Sequence, residues 1–207
     1  MHAWRELEPA WRAAFELAWE AYAAGSIPVG AVITRGDDVI ARGRNRLFET
    51  DAPPGEVAGS RVAHAEMNAI AHLGVAERYP DCVLWTTLEP CPMCIGAAWL
   101  ATIGTVRYAG NDVYAGASRL IEAQLERTDR VRRDPLTIEG PLEGPIGVFA
   151  ELLHIEWFLV TRPQHRVTDL FRKHRPELVA LAERLRLHEH TGAPLEEALP
   201  QIWDQLG

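Results

Sequence analysis

The chain has 207 residues, 47% of them hydrophobic, enough for one globular unit with a sizeable buried core. Twenty-one Lys and Arg stand against 29 Asp and Glu, so the net charge is −8. That excludes a generally basic nucleic-acid binder and leaves room only for a local basic patch. Glu6, Glu8, Glu16 and Glu20 interrupt the apolar run a signal peptide needs, and no stretch approaches the roughly 18 apolar residues of a membrane span. A soluble, cytoplasmic protein is expected. Three cysteines do not make a disulfide framework, and the Cys-x-x-C spacing of Cys91 and Cys94 points to metal or redox chemistry.

In chain order, Trp11, Phe15, Ala18, Trp19 and Tyr22 form the stripe of an amphipathic helix over about Glu8 to Ala24, stopped by Gly25. Pro28 to Thr34 and Val39 to Gly43 are apolar runs joined by Arg35-Gly36-Asp37-Asp38, which predicts a hairpin. Glu49 to Ser60 carries Pro53, Pro54, Gly55 and Gly59 and is expected to be an exposed loop. A helix follows from about Ala63 to Leu73, then a strand from Cys82 to Leu88. Pro92 suits the first turn of a helix that runs to about Thr102. A strand at Val106 to Ala109, a helix near Ala117 to Arg127, a strand at Leu136 to Glu139 and a helix at Ile146 to Val160 complete the pattern.

Strands alternating with helices predict an α/β fold with helices covering both faces of a central sheet. From about Thr161 the pattern turns helical, with segments at about Pro176 to Leu187 and Pro194 to Leu206. This predicts a domain over 1–160 and a helical C-terminal extension over 161–207 packed on it.

Two short motifs carry the chemistry. His64-Ala65-Glu66 opens one helix, and Pro90-Cys91-Pro92-Met93-Cys94 opens another after a strand. Zinc takes imidazole and thiolate ligands, and helix N-termini favour thiolate over thiol. His64, Cys91 and Cys94 are therefore the expected ligands of one zinc ion per chain, with a fourth position open to water. Lowering that water's pKa makes it a nucleophile at neutral pH, and Glu66, not itself a ligand, is the expected proton carrier. H-x-E followed by P-C-x-x-C is a known zinc deaminase signature. Against it stand a closed structural zinc site and a redox Cys-x-x-C. Cys82 is a poor fourth ligand because about seven extended residues, roughly 20 Å, separate it from the other two cysteines. His72 lies two turns down its helix, roughly 12 Å from His64.

Together with Ile27-Pro28-Val29-Gly30-Ala31-Val32 and Thr87-Leu88-Glu89, these motifs resemble the cytidine deaminase superfamily, over about residues 8–160. The nearest branch is the one holding guanine deaminases and tRNA adenosine deaminases. The resemblance implies a three-layer α/β/α fold with a five-stranded mixed sheet, hydrolytic release of ammonia from a base, and a homodimer. It also implies that Asn45, at the end of the second strand, binds the substrate's base. Ile27 and Phe48 match pocket-wall positions of the family, with a place in the core as the alternative for each.

The expected substrate is a free base, nucleoside or nucleotide. Asp112 followed by Gly116-Ala117 resembles the tRNA adenosine deaminases. Yet Gly59-Ser60-Arg61-Val62-Ala63 stands where those enzymes usually carry Asp-Pro-Thr, and the acidic charge disfavours a tRNA partner. An anticodon loop is thus the alternative substrate, and an inactive zinc-stabilised binding module a more remote one. A basic stripe at Arg130, Arg132 and Arg133, with Arg42, Arg44 and Arg46, is the place such an RNA would bind.

Overall fold

The computed structural model describes residues 2–120 and 135–206. After a short α1 (His2–Glu6) come α2 (Pro9–Ala23), β1 (Gly30–Arg35), β2 (Asp38–Arg44), α3 (Ala65–Ile70), β3 (Cys82–Leu88), α4 (Pro92–Leu100), β4 (Thr105–Gly110) and β5 (Thr137–Glu139). The helices α5 (Pro145–Thr161), α6 (Arg166–His174), α7 (Pro176–Leu185) and α8 (Leu195–Ile202) follow. The five strands form one mixed sheet in the order β2-β1-β3-β4-β5. β1 pairs antiparallel with β2 and β3, whereas β3, β4 and β5 run parallel.

Alternation along β1 assigns the two faces. Ala31 and Ile33 join a core with Ala65 and Ala69 of α3 and Ile95 and Ala98 of α4. Val32 faces the other way, into a core built from α2, α5 and the C-terminal helices. Phe15 of α2 and Phe149 of α5 meet there at 5.8 Å between ring centroids, and Trp11 packs edge-on against Trp85 of β3. Val167, Phe171, Leu187, Leu199 and Ile202 belong to this same core, and the indole of Trp19 donates to the carbonyl of Ala193. The C-terminal helices therefore share one continuous apolar interior with α2 and α5.

The α/β layers and the strands stand as the sequence predicts. Several boundaries are corrected. α3 ends at Ile70 instead of Leu73, since the chain tightens there into a turn with His72 N–H donating to the Ala69 carbonyl. α7 stops at Leu185 because Arg186 takes the left-handed conformation (φ 52°, ψ 53°). The segment expected at Pro194 to Leu206 is split into α8 and a 3₁₀ turn at Trp203–Gln205. α6 was not expected, because its sequence RVTDLFRKH buries only Val167, Thr168 and Phe171 and is otherwise polar. The helix expected at Ala117 to Arg127 falls largely outside the described residues, and Ser118–Leu120 form a turn. The loop at 49–60 is not merely exposed. Glu49 and Glu56 are half-buried ion-pair partners of Arg44 and Arg46, and the Asn68 amide bonds the backbone of Val57 on both sides.

Among the described residues no helix is long and apolar enough to cross a membrane. Gly43 sets how closely α3 lies on β2, because a Cβ there would stand 2.3 Å from the Ala69 nitrogen and 2.4 Å from the Ala65 oxygen. Both are backbone atoms that cannot swing aside. Gly43→Ala is accordingly expected to cost about 1–3 kcal/mol, read as a lowered urea midpoint at unchanged slope. A midpoint equal to that of the parent chain would contradict the close packing.

Candidate metal centre and base cavity

Three donor atoms converge where α3 and α4 begin. His64 is the extended residue before α3 (φ −80°, ψ 156°), and Cys91 holds the same place before α4 (φ −73°, ψ 170°). Cys94 lies one turn on, so both thiols project beyond the helix end. Cys91 Sγ is 3.7 Å and Cys94 Sγ 3.6 Å from His64 Nδ1, and the two sulfurs are 3.6 Å apart. A tetrahedral zinc with bonds of about 2.3 Å to sulfur and 2.0–2.1 Å to nitrogen places sulfurs roughly 3.8 Å apart and sulfur and nitrogen roughly 3.5 Å apart. The donor set fits zinc in both chemistry and spacing. It is the one group of three or more such side chains found among the described residues.

Cys82 starts β3, at the opposite end of the strand from Cys91, and takes no part. The thiols differ accordingly. The Cys94 thiol, donating to Cys91, and the His64 imidazole hold Cys91 down at about 4, while Cys94 is pushed up as it keeps the shared proton. His64 is raised, chiefly by its bond to Cys91. Burial pushes the Cys82 thiol up.

Glu66 is 3% exposed, with Oε2 3.4 Å from Cys94 Sγ and Oε1 accepting from the Thr86 hydroxyl at 2.9 Å. Burial pushes its carboxyl above the usual range, with His64 pulling back. A carboxyl shifted toward neutrality is suited to taking and returning a proton. The first-turn position explains how Glu66 reaches the cluster although it lies two residues from His64.

A cavity of about 210 Å³ opens on these groups. It is smaller than the ~300–1,000 Å³ of drug-sized ligand sites, a scale suited to one flat ring system. Asn45, 3% exposed, lines it. Its Oδ1 accepts from the Leu47 N–H at 3.0 Å, which leaves the amide NH₂ as the group offered to a ligand. Ile27 lines the cavity too, whereas Phe48 does not; it stacks on Trp157 at 5.3 Å beside the entrance.

Much of the remaining wall is not marked in the sequence. Asp112 and Tyr114 come from the loop after β4, and His154 and Phe158 from α5. Glu89 holds that loop by accepting from Ser118 N and Oγ and from Asp112 N. His154 is buried between the Phe158 and Phe171 rings, and burial holds its imidazole below the ordinary value. No local motif marks α5, since its contribution arises only when β4 and β5 bring it back over the sheet.

Comparison with known proteins agrees with the geometry. Residues 5–110 match the cytidine and deoxycytidylate deaminase zinc-binding region. The chain is 41% identical over 108 residues to tRNA(Ile)-lysidine synthase of Deinococcus radiodurans, covering 50% of this chain and 17% of that protein. It is 41% identical over 86 residues to guanine deaminase of Bacillus subtilis, covering 40% and 49%. The chain thus spans half or less of the length of these relatives. A solved structure from studies of A-to-I editing by tRNA:A34 deaminases superposes with a TM-score of 0.52 at 28% identity, covering 68% of this chain and 97% of that one.

The thiol assignment has a direct check. In chelator-treated protein at pH 6, well above the value near 4 at which Cys91 gains its proton, Cys91 is a thiolate and Cys82 a thiol. Iodoacetamide is expected to label Cys91 far ahead of Cys82, with the advantage lost as pH falls through about 4. Equal labelling of the two at pH 6 would contradict it.

Proposed function

Because this chain belongs to the cytidine and deoxycytidylate deaminase zinc-binding family, we propose that it is a hydrolytic deaminase of a purine or pyrimidine presented as a small molecule. The observation that carries this reading is the buried, non-ligating Glu66 beside a three-donor cluster, at the floor of a cavity sized for one base. His64, Cys91 and Cys94 would hold the zinc, whose Lewis acidity makes water a usable nucleophile at neutral pH. Glu66 takes the proton of the attacking water, returns it to the ring nitrogen, and assists the departing amine. The carbon–nitrogen bond breaks, a carbonyl forms, and ammonia leaves. Thr86 keeps the Glu66 carboxylate aimed, Asn45 offers its NH₂ to the edge of the base, and Ile27, Leu88 and Phe158 press on its faces. A second reading, an adenosine in a tRNA anticodon loop, is favoured by the likeness to the tRNA:A34 deaminase structure.

Glu66→Gln is expected to keep one zinc per chain while lowering ammonia release by about 10²–10⁴-fold, because the amide cannot carry the proton. Cys94→Ser is expected to hold zinc far more weakly, with one sulfur donor fewer. Full turnover in the Glu66 variant, across a panel of bases, nucleosides and nucleotides, would overturn the mechanism.

A homodimer through α4 is part of the same proposal. Only Cys94, Ile95 and Ala98 of this apolar helix are buried, and Leu100 is 58% exposed. The C-terminal helices pack on the other face of the sheet and do not cover it. Light scattering is expected to give twice the 23.1 kDa chain mass at micromolar concentration; a clean monomer would contradict the interface.

A further inference from the structure

Buried polar side chains in this protein are partnered, with one exception beside the base cavity. Of the ten buried polar or charged residues among those described, nine have their side chain in a hydrogen bond. His154, 5% exposed, is the tenth, and no group among the described residues hydrogen-bonds its imidazole. Buried polar groups nearly always find a partner, so the exception needs a cause.

The ring is held in a fixed orientation. Phe158 and Phe171 meet it edge-on, at 5.2 and 5.5 Å between centroids and at 80° and 74° between planes. The carboxylates near it are engaged elsewhere. Glu151 accepts from Asn111 and Arg175, and Asp112 Oδ1 accepts from the N–H groups of Tyr114 and Ala115. His154 and Phe158 stand one turn apart on α5, on the face that lines the base cavity. Its nitrogens are not closed off either. The side-chain polar atoms both closed off and unpartnered among the described residues belong to Tyr22, Arg35, Glu156 and Trp157, not to His154. On so buried a residue, that open surface gives onto the cavity it lines.

Resting on the deaminase reading above, we propose that His154 determines specificity by hydrogen-bonding the base at an edge other than the one bearing the reacting amine. The amine must face Glu66 and the zinc donors, and His154 makes no hydrogen bond to any of these. Burial holds the imidazole below its ordinary value, so near neutral pH it is uncharged and offers one N–H and one acceptor nitrogen. The accepted base therefore carries a ring nitrogen, a carbonyl or a second amine at that edge. A base with C–H there would leave the imidazole buried and unpaired, which a site built for hydrogen bonding rejects. His154 lies beyond residues 5–110, which match the family's zinc-binding region, so the motif that sets the chemistry does not set this contact.

The test takes whichever base, nucleoside or nucleotide of the panel above releases ammonia fastest from the zinc-loaded full chain. Beside it run analogues in which each ring nitrogen becomes C–H, or each carbonyl or second amine becomes hydrogen, one at a time. In the parent chain at least one analogue is expected to fall in kcat/KM by about ten- to a hundredfold. In His154→Phe the substrate itself is expected to fall by a similar factor, and the discrimination against that analogue to vanish. The Phe variant keeps an aromatic ring between Phe158 and Phe171, so it separates the hydrogen bond from the packing. His154→Gln restores a donor and an acceptor and is expected to recover part of the discrimination. Equal discrimination in the parent chain and the Phe variant, or none in the parent chain, overturns the contact. A readout that needs no change at His154 follows its ring nitrogens by heteronuclear NMR in the zinc-loaded Glu66→Gln chain. One is expected to shift when the substrate binds and to stay in place with the discriminating analogue. Nitrogens unmoved by bound substrate overturn the contact while leaving the deaminase reading intact. Ammonia from no member of the panel, with zinc bound, overturns the deaminase reading itself and this contact with it.

Discussion

Two helices begin at the same place, and the rest of the molecule serves that coincidence. Cys91 stands three residues past the end of β3, and His64 stands before a helix laid across β1 and β2. Their donor atoms meet with Cys94 within 3.7 Å only if α3 sits flush on β2. The contact at Gly43 permits that closeness, and the antiparallel pairing of β1 with β3, Ala31 opposite Thr86, sets the height. The same pairing puts the Thr86 hydroxyl under Glu66. A slip of one residue would turn Thr86 to the opposite face and leave a buried carboxyl without its donor. The position of the acid thus follows from strand register, and its raised carboxyl from burial.

The opposite face of the sheet supplies shape. β4 and β5 run parallel to β3, so the chain returns over the sheet and α5 crosses beside the cavity. His154 and Phe158 become walls by this route, and Trp157 and Arg162 extend them outward. The C-terminal helices hold α5 there through a shared core with Phe171, Leu187 and Leu199. Arg162 and His165 of that extension also line the wider opening beside the cavity.

The metal cluster was legible because its chemistry is local. His64-Ala65-Glu66 and Cys91-Pro92-Met93-Cys94 each complete their geometry within one helix turn, and Pro92 marks the start of its helix. The strands were legible for a similar reason, since the alternation in Gly30–Arg35 and the β-formers in Cys82–Leu88 read directly as buried strands. α6 stayed hidden because its neighbours, not its own pattern, stabilise it; three buried side chains in nine residues leave little periodicity. Phe48, open in the sequence between pocket wall and core, stacks on Trp157 outside the base cavity, a contact spanning more than a hundred residues that no spacing foretells. Asp112, Tyr114, His154 and Phe158 were missed as pocket walls on the same ground.

The most direct measurement is X-ray absorption at the zinc edge of the full chain and its Cys94→Ser variant. The account predicts two sulfurs near 2.3 Å, one imidazole nitrogen and one exchangeable light atom in the parent chain, with the two-sulfur signature lost in the variant. Four protein donors with no exchangeable position, or an identical spectrum in the variant, would contradict it.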